Sequence, residues 1–161
     1  PEKTNELLRK YPNVTYLQDS FVIVEGIKIW GSPIQPWFHS WAFNRLRGED
    51  IKKHWDLIPD DVDILITHGP AFGILDQTPR GEHVGCEDLL DAISTRVKPT
   101  IHVSGHIHPA YGYTTRFLNE ENRTMHFFNA SILNESYEIQ NKPFVVEFDV
   151  DTKLITLETN N

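Results

Sequence analysis

Three histidines in this chain are suited to bind a divalent cation. His106 and His108 are separated by one residue in "SGHIHPAYG" (residues 104–112), directly after an apolar run. His68 follows another apolar run, in "THGP". Neutral imidazole is a strong ligand for zinc, iron and manganese. We therefore predict that these three histidines bind metal. A hydrogen-bonded residue at a strand end remains the alternative for His68 taken alone.

The histidines must be brought together by the elements that carry them. Apolar runs at 62–67 and 101–104 predict strands, and 86–97 predicts the helix between them, with Leu89, Leu90, Ile93 and Val97 on its inner face. A β-α-β crossover gives parallel strands, whose carboxyl ends meet at one edge of a sheet. The pattern therefore predicts that all three imidazoles converge at that edge.

The spacing of His106 and His108 favours two ions over one. If the strand direction persists past residue 104, their side chains face the same way, about 6.5 Å apart. That distance suits two ions roughly 3.5–4 Å apart, with one histidine on each. Gly69 and Gly105 lie beside the histidines, where we expect them to allow unusual backbone angles.

Two cations also need carboxylate ligands. No Asp or Glu in this chain lies at a ligand spacing from the three histidines. Asp60, Asp61 and Asp63 lie at the opposite end of their strand, and Asp76 and Glu82 are better placed for a pocket wall. We therefore expect the missing ligands to precede Pro1.

The remaining pattern predicts further strands and two helical segments. A helix end is predicted at 5–11, a helix at 48–58 and an ordered loop at 33–48. Strands are predicted at 13–19, at 21–32 with a hairpin turn at Glu25-Gly26, and within 111–117, 124–132 and 144–158.

Composition excludes several classes of protein. The 161 residues fit one domain, and the net charge of −8 comes without a basic stripe, so long nucleic acid is an unsuitable partner. No apolar run reaches the roughly 20 residues of a membrane span. The single cysteine, Cys86, favours a reducing compartment, and we expect a cytoplasmic protein.

Several sequence motifs in this chain together resemble those of a known protein family. "THGP", "GHIH" and "NAS" resemble the C-terminal half of the calcineurin-like metallophosphoesterases. "GSPIQPWFHSWAFN", "THGPAFGILD" and "GEHVGCEDLLDAI" are similar to the narrower metallophosphoesterase-domain-containing, fetal-brain-protein-like subgroup. The resemblance implies an α/β fold, the four-layer α/β/β/α sandwich. Residues 1–161 would then be the C-terminal portion of a single metallophosphoesterase domain.

The resemblance also implies roles for the histidines. His68 and His106 would bind one metal and His108 the other, with Mn, Fe or Zn as the two ions. The family motifs D-x-H, G-D and G-N-H, which supply a bridging aspartate and a general-acid histidine, are missing from this chain. Some members of the subgroup carry glycine in place of the first G-H-x-H histidine and lose much of their activity, but His106 is intact, so we do not expect that loss here.

Other residues are candidates for the substrate site. We predict that Asn44, Arg80 and His83 bind substrate, with a loop-structuring bond as the alternative for Asn44 and a solvated loop for Arg80. Glu82 is expected near the entrance. Trp30, Trp37, Phe38 and Trp41 could stack a nucleotide base, although core packing is expected for at least two of them.

Several residues near the site are expected to be structural. His102 is interpreted as a buried strand residue, and Asn129 and Ser131 are expected behind the metal histidines. Cys86 opens a helix, which could lower its pKa, but a small core residue is the preferred interpretation.

These residues lead to a prediction of dimetal phosphoester hydrolysis. Two cations that share a water lower its pKa, and the resulting bridging hydroxide attacks phosphorus in line. Phosphodiesters such as cyclic nucleotides are the expected substrates, by analogy with the subgroup. The N-terminal segment of the same protein is the expected partner, and no membrane is involved. The alternatives are a metal- or nucleotide-binding module without turnover, and a structural zinc site with a fourth ligand.

Overall fold

A six-stranded mixed sheet forms the centre of the protein. The computed structural model describes residue 8 and residues 10–158. The strands are β1 Ser20–Val24, β2 Ile27–Ser32, β3 Gln35–Pro36, β4 Asn44–Arg45, β5 Ile64–Thr67, β6 Ile101–Ser104, β7 Gly112–Leu118, β8 Arg123–Asn129, β9 Val146–Phe148 and β10 Ile155–Leu157. The helices are α1 Glu49–Trp55 and α2 Glu87–Ala92. The central sheet has the order β1-β2-β5-β6-β8-β7. The α/β class is therefore confirmed.

The predicted β-α-β unit is present. β5 and β6 pair in parallel, with Ile64 opposite Ile101, and α2 lies between them in sequence. The predicted helix 86–97 is divided, because a π-helical turn at Ile93–Val97 follows α2. β2 and β8 run parallel to these strands, so four strands end at the same edge.

That edge carries a row of buried polar side chains. β2, β5, β6 and β8 end in Ser32, Thr67, Ser104 and Asn129, and all four are buried. Buried polar groups must find hydrogen-bond partners, and these find many of theirs in the loops that leave the strands. The row therefore ties the loops at this edge to the rigid sheet.

Helices cover one face of the sheet. Trp30 on β2, Leu65 on β5 and Phe127 on β8 are buried in one cluster with Ile51 and Trp55 of α1. The inner face predicted for the helix at 86–97 is present as well, since Leu89, Ile93 and Val97 are buried and Leu90 packs against the cluster.

The opposite face of the sheet is only partly covered. Ile66, in the central strand β5, is 42% exposed, and Phe117 on β7 is 57% exposed. Central strands of a sheet are ordinarily covered on both faces when they run parallel. This face therefore presents apolar surface that the described residues leave open.

The hairpin turn is confirmed, but the strand predicted at 13–19 is wrong. Val24 pairs with Ile27 across Glu25 and Gly26, which both have left-handed φ angles of 50° and 84°. The segment at 13–19 contains no strand and ends at Asp19, where φ is 49°. The Asp19 carboxylate accepts hydrogen bonds from the Ser32 hydroxyl and from His54, which holds this segment by its side chain instead of by strand pairing.

The other predicted segments are mostly as expected. β7 and β8 form an antiparallel pair, and β9 and β10 form a separate antiparallel hairpin. The predicted loop 33–48 is ordered and holds the short parallel pair β3–β4. The helix end predicted at 5–11 lies largely outside the described residues. None of the helices in the described part of the chain has the length and apolar character that crossing a bilayer requires.

Candidate metal centre

His68 and His106 lie side by side at the polar edge of the sheet. The Gly105 amide donates to the His68 carbonyl at 3.0 Å, and the His68 amide donates to the Ser32 carbonyl at 3.2 Å. The centroids of the two imidazole rings are 4.6 Å apart. Neither ring makes a hydrogen bond within residues 8 and 10–158. Ring nitrogens of both histidines are therefore available to a cation.

The backbone at His106 differs from the expected extended strand. β6 ends at Ser104, and His106 has a left-handed φ of 70°. The Ile107 amide donates to the Gly105 carbonyl at 2.8 Å, which closes a tight turn around His106. The expected separation of about 6.5 Å between the His106 and His108 side chains assumed that the strand continues past residue 104. That assumption is wrong, because β6 ends at Ser104. The left-handed angle belongs to His106 and not, as expected, to Gly69 or Gly105.

His108 is oriented by a loop from far along the chain. It begins a 3₁₀ turn, His108–Ala110, and its Nδ1 lies 2.8 Å from the carbonyl oxygen of Asn134. A carbonyl can only accept, so in the neutral imidazole Nδ1 carries the proton and Nε2 has the lone pair. The Tyr137 ring meets the His108 ring edge-on, with centroids 5.4 Å apart. Fixing one nitrogen in this way is how proteins orient a histidine whose other nitrogen binds a metal.

The site favours neutral imidazoles. Partial desolvation lowers the pKa of His68, and desolvation together with the neighbouring His68 and His108 lowers the pKa of His106 to about 4. A metal ligand must be unprotonated. His68 and His106 are therefore in the form that binds a cation.

His102 and Thr67 anchor the segment that follows His68. The Thr67 hydroxyl donates to the Gly69 carbonyl at 2.7 Å, so it accepts from Nε2 of His102 at 2.8 Å. His102 is buried, and desolvation lowers its pKa from 6.5 to about 3. The structural interpretation of His102 is therefore in line with its position, which links β6 to the end of β5.

Asn129 holds the loop between His106 and His108. Its Nδ2 donates to the carbonyls of Ile107 and Leu75, at 2.9 and 3.0 Å, and its Oδ1 accepts from the Ser131 amide. Asn129 is fully buried. Both Asn129 and Ser131 thus lie behind the histidine loop, as expected from the sequence.

All three histidines line one cleft. Its volume is about 1040 Å³. Trp37, Phe38 and Trp41, from the loop between β3 and β4, line the same cleft, and we call these three side chains the aromatic wall. Of the four aromatic residues proposed for stacking, only Trp30 is buried, so the expectation that at least two pack in the core is wrong.

The predicted substrate residues do not line this cleft. Asn44 donates to the carbonyls of Phe38 and His39 and accepts from the Phe38 amide, so its side chain organises the loop. Arg80 is exposed, and His83 bonds to Asp76 at 2.5 Å. A direct role of Asn44, Arg80 and His83 in binding substrate therefore stays a prediction.

The acidic residues are used elsewhere in the structure. Asp76 is buried and accepts from the amides of Gly73 and Gly85, which shapes the loop after β5. Glu82 is exposed on that loop. The three aspartates near the start of β5 pair with basic side chains: Asp60 with Arg96, Asp61 with Lys28 and Asp63 with Lys153.

The donor set fits a metal, although it is incomplete. Among the residues that the structure describes, no group of three or more His, Cys, Asp or Glu side chains is placed to hold an ion. Two neutral imidazoles with free nitrogens and a third of fixed orientation match the ligand chemistry of zinc, manganese or iron. Further ligands would have to come from outside these residues.

Comparison with known proteins identifies relatives. No family model matches the chain. The chain is 44% identical over 148 residues to Metallophosphoesterase domain-containing protein 1 of Homo sapiens and of Mus musculus, an alignment that covers 91% of this chain and 44% of each relative. The chain is thus similar in sequence to proteins named for a metallophosphoesterase domain. A UPF0046 protein of Caenorhabditis elegans is 39% identical over 138 residues, which cover 86% of this chain and 33% of that protein. The chain thus spans less than half the length of these relatives.

The cleft is also lined by residues that the sequence alone did not predict. Arg47, Glu135 and Tyr137 line the cleft. Arg47 and the loop that carries Glu135 and Tyr137 reach it only through folding, and no local motif marks them. Cys86 is buried and free, and burial raises the pKa of its thiol, so the core interpretation is correct.

Proposed function

We propose that this chain supplies His68, His106 and His108 to a two-metal phosphoester hydrolase that acts on phosphodiesters. The observation that carries the proposal is the pairing of the His68 and His106 rings, 4.6 Å apart and free of hydrogen bonds within the described residues. The relatives named for a metallophosphoesterase domain support the metal-dependent phosphoesterase part of this proposal.

The residues of this chain would bind and orient the reactants. Two divalent ions, such as Mn, Fe or Zn, would activate water and offset charge on the phosphoryl group. His68 and His106 provide unprotonated nitrogens, and the Asn134 carbonyl keeps Nε2 of His108 free. The aromatic wall shields the His106 side of the cleft from bulk water, because Phe38 and Trp41 both contact the His106 ring.

The rest of the active site would come from polypeptide outside this chain. The missing carboxylate ligands and the histidine that protonates the leaving group belong there in this proposal. The same polypeptide would supply a second sheet on the open face that contains Ile66 and Phe117, which completes the four-layer α/β/β/α sandwich. The exposed apolar side chains of that face and the greater length of the relatives support this arrangement.

A small phosphoester, with cyclic nucleotides as one class, is the substrate that we propose. The cleft is large enough for a nucleotide-sized ligand. The free Cys86 thiol suits the cytoplasm, where we place the activity.

Hydrolysis of bis-p-nitrophenyl phosphate by the whole protein tests the proposal. With Mn²⁺ added, we expect turnover to fall by roughly 100-fold or more in His68→Ala and His106→Ala, since even the loss of a group that only orients a metal ligand costs about 10- to 100-fold. His126→Ala is the matched control, because His126 is half-buried on β8 and bonds to Tyr113 instead of lining the cleft. An active His68→Ala variant would contradict the proposal.

A binding module without turnover is the second candidate. It is favoured by the lack of a complete ligand group among the described residues. The two candidates differ in the same assay. Mn²⁺ binding that depends on His68 and His106, without any hydrolysis by the whole protein, would establish the module.

A further inference from the structure

One largely buried histidine connects helix α1 to two distant segments of the chain. Nδ1 of His54, on α1, lies 2.8 Å from Oδ2 of Asp19, and Nε2 lies 3.0 Å from Nε of Arg45 on β4. The side chains of His54 and Asp19 are only 13% and 17% exposed. The other Asp19 oxygen accepts from the Ser32 hydroxyl at 2.6 Å, so the cluster also reaches the end of β2. A single imidazole therefore joins α1 to both β2 and β4.

The two partners determine the charge of His54. The Nε of an arginine always carries a proton and can only donate, so Nε2 of His54 presents its lone pair to Arg45. A carboxylate can only accept, so Nδ1 carries the proton that is donated to Asp19. His54 is therefore a neutral imidazole with its proton on Nδ1. A second proton, on Nε2, would leave two N–H donors facing each other at 3.0 Å.

Arg45 lies at the base of the aromatic wall. Its Nη1 donates to the Asn44 carbonyl at 2.8 Å, and its own carbonyl accepts from the Trp37 amide at 2.9 Å. The side chain of Asn44 in turn bonds to the backbone of Phe38 and His39. The position of Arg45 therefore affects the hydrogen bonds that shape the loop between β3 and β4.

That loop depends on its hydrogen bonds for its conformation. His39 and Phe43 have left-handed φ angles of 49° and 61°, which strain a residue that has a Cβ. Trp37 and Trp41 are 61% and 51% exposed, so core packing holds their rings only in part. A strained backbone persists only where its surroundings fix it. Loss of the Arg45 contact would therefore loosen the aromatic wall.

The charges around His54 give a proton opposite effects on its two partners. Asp19 faces Nδ1 and would bind a charged imidazolium more strongly, because a hydrogen bond between two ions is the stronger kind. Arg45 faces Nε2 and would be repelled. On α1 itself, Asp50 lies one turn before His54 and pairs with Lys53 at 2.6 Å. Protonation therefore keeps His54 on Asp19 and displaces Arg45.

We propose that His54 is a proton-controlled switch for the order of the aromatic wall. When the imidazole is neutral, it holds Arg45 and the loop at 37–43 is ordered beside the metal centre. When the imidazole is charged, Arg45 leaves and the loop loosens. Histidine is the side chain that ordinarily changes charge between about pH 5 and pH 8. The wall is thus more ordered at pH 8 than at pH 5, whether or not the protein hydrolyses phosphoesters.

Hydrogen exchange of the Trp37 amide tests the switch. NMR of the whole protein with Zn²⁺ present gives its protection factor, which is corrected for the intrinsic pH dependence of exchange. In wild type we expect this factor to fall roughly 2- to 12-fold from pH 8 to pH 5, the range for one hydrogen bond. His54→Gln cannot take up the proton and should show no such fall. Arg45→Met keeps the apolar stem but not the donors, and should have the low value at both pH values.

His83→Gln is the matched control for the loss of a histidine. His83 also bonds to a carboxylate, that of Asp76, but on a different loop, so this variant should behave as wild type does. Equal falls in wild type and His54→Gln would overturn the switch. Wild-type protection in Arg45→Met at pH 8, or loss of the fall in His83→Gln, would overturn it as well.

The ¹⁵N spectrum of the wild-type imidazoles gives a test that needs no variant to fold. At pH 8 the switch requires the neutral form of His54 with its proton on Nδ1. A His54 ring that is charged at pH 8, or that carries its proton on Nε2, would overturn the inference. Neither measurement involves hydrolysis, so the switch and the proposed function fail on different observations.

Discussion

The His106→Gly variant should have a higher free energy of unfolding than the His106→Ala variant. Its φ of 70° places it in the left-handed region, where a residue with a Cβ is strained by roughly 1–2 kcal/mol. Both substitutions remove the ring contacts with His68, Phe38 and Trp41. The difference between the two variants therefore isolates the backbone strain.

The magnitude follows from two opposing effects. Glycine relieves the strain, but it also raises the conformational entropy of the unfolded chain by about 0.4–1 kcal/mol. We expect His106→Gly to exceed His106→Ala by about 1 kcal/mol in the free energy of unfolding. Metal affinity should be lost equally in both variants, because neither retains the imidazole.

His108 provides the control in the same loop. Its φ is not left-handed, and it opens a 3₁₀ turn. There the order should reverse, with His108→Gly less stable than His108→Ala by roughly 0.5–1 kcal/mol. Urea unfolding followed by circular dichroism measures all four variants. A His106→Gly protein that is no more stable than His106→Ala would refute the turn geometry at the metal centre.

Three further predictions test the surroundings of the site. The pKa of His102 is lowered from 6.5 to about 3, so its contribution to stability is present above pH 6.5 and is lost as the pH falls toward 3. Urea titrations should show wild type losing about 2 kcal/mol more than His102→Gln between pH 8 and pH 5. Asn129→Ala removes the side-chain donor to the Leu75 carbonyl, one of the two donors to the Ile107 carbonyl and the acceptor of the Ser131 amide, so the free energy of unfolding should fall by about 1–3 kcal/mol. Gly85→Ala should destabilise by about 2 kcal/mol or more in thermal unfolding, because a Cβ there would lie 2.6 Å from the Ala71 carbonyl.

Each of these has an outcome that contradicts it. Parallel pH profiles of wild type and His102→Gln would exclude His102 as the source of the acid sensitivity. An Asn129→Ala protein with wild-type stability would mean that Asn129 does not hold the histidine loop. Gly69→Ala is the control for Gly85→Ala, since its Cβ would meet only His106 Cδ2, at 4.0 Å. Equal losses in the two glycine variants would argue against a tight contact at Gly85.

Local sequence patterns were sufficient to predict that His68 and His106 follow neighbouring strands at the same edge of the sheet. Apolar runs before His68 and His106, with an amphipathic helix between them, predicted a crossover whose strands end at one edge, and β5 and β6 have that arrangement. Handedness and parallel pairing follow from chain geometry alone. This is why residues almost 40 positions apart could be placed together without any structure.

The detailed geometry depends on contacts that are distant in sequence. The turn at His106 departs from the strand direction, and the loop behind it is held by Asn129 on β8. His108 is oriented by Asn134, 26 residues further along. The "NAS" motif indicated Asn129, but no local pattern marks Asn134. The exposure of Trp37 and Trp41 was likewise hidden, because aromatic residues are equally common in cores and at binding surfaces.

The central claim is that His68, His106 and His108 share a metal centre. Anomalous diffraction from crystals of the whole protein grown with Mn²⁺ tests it most directly. The account predicts Mn²⁺ density in contact with ring nitrogens of both His68 and His106, and a second ion at Nε2 of His108. Fully occupied Mn²⁺ sites elsewhere in the protein, with these three rings bound to other protein groups, would contradict it.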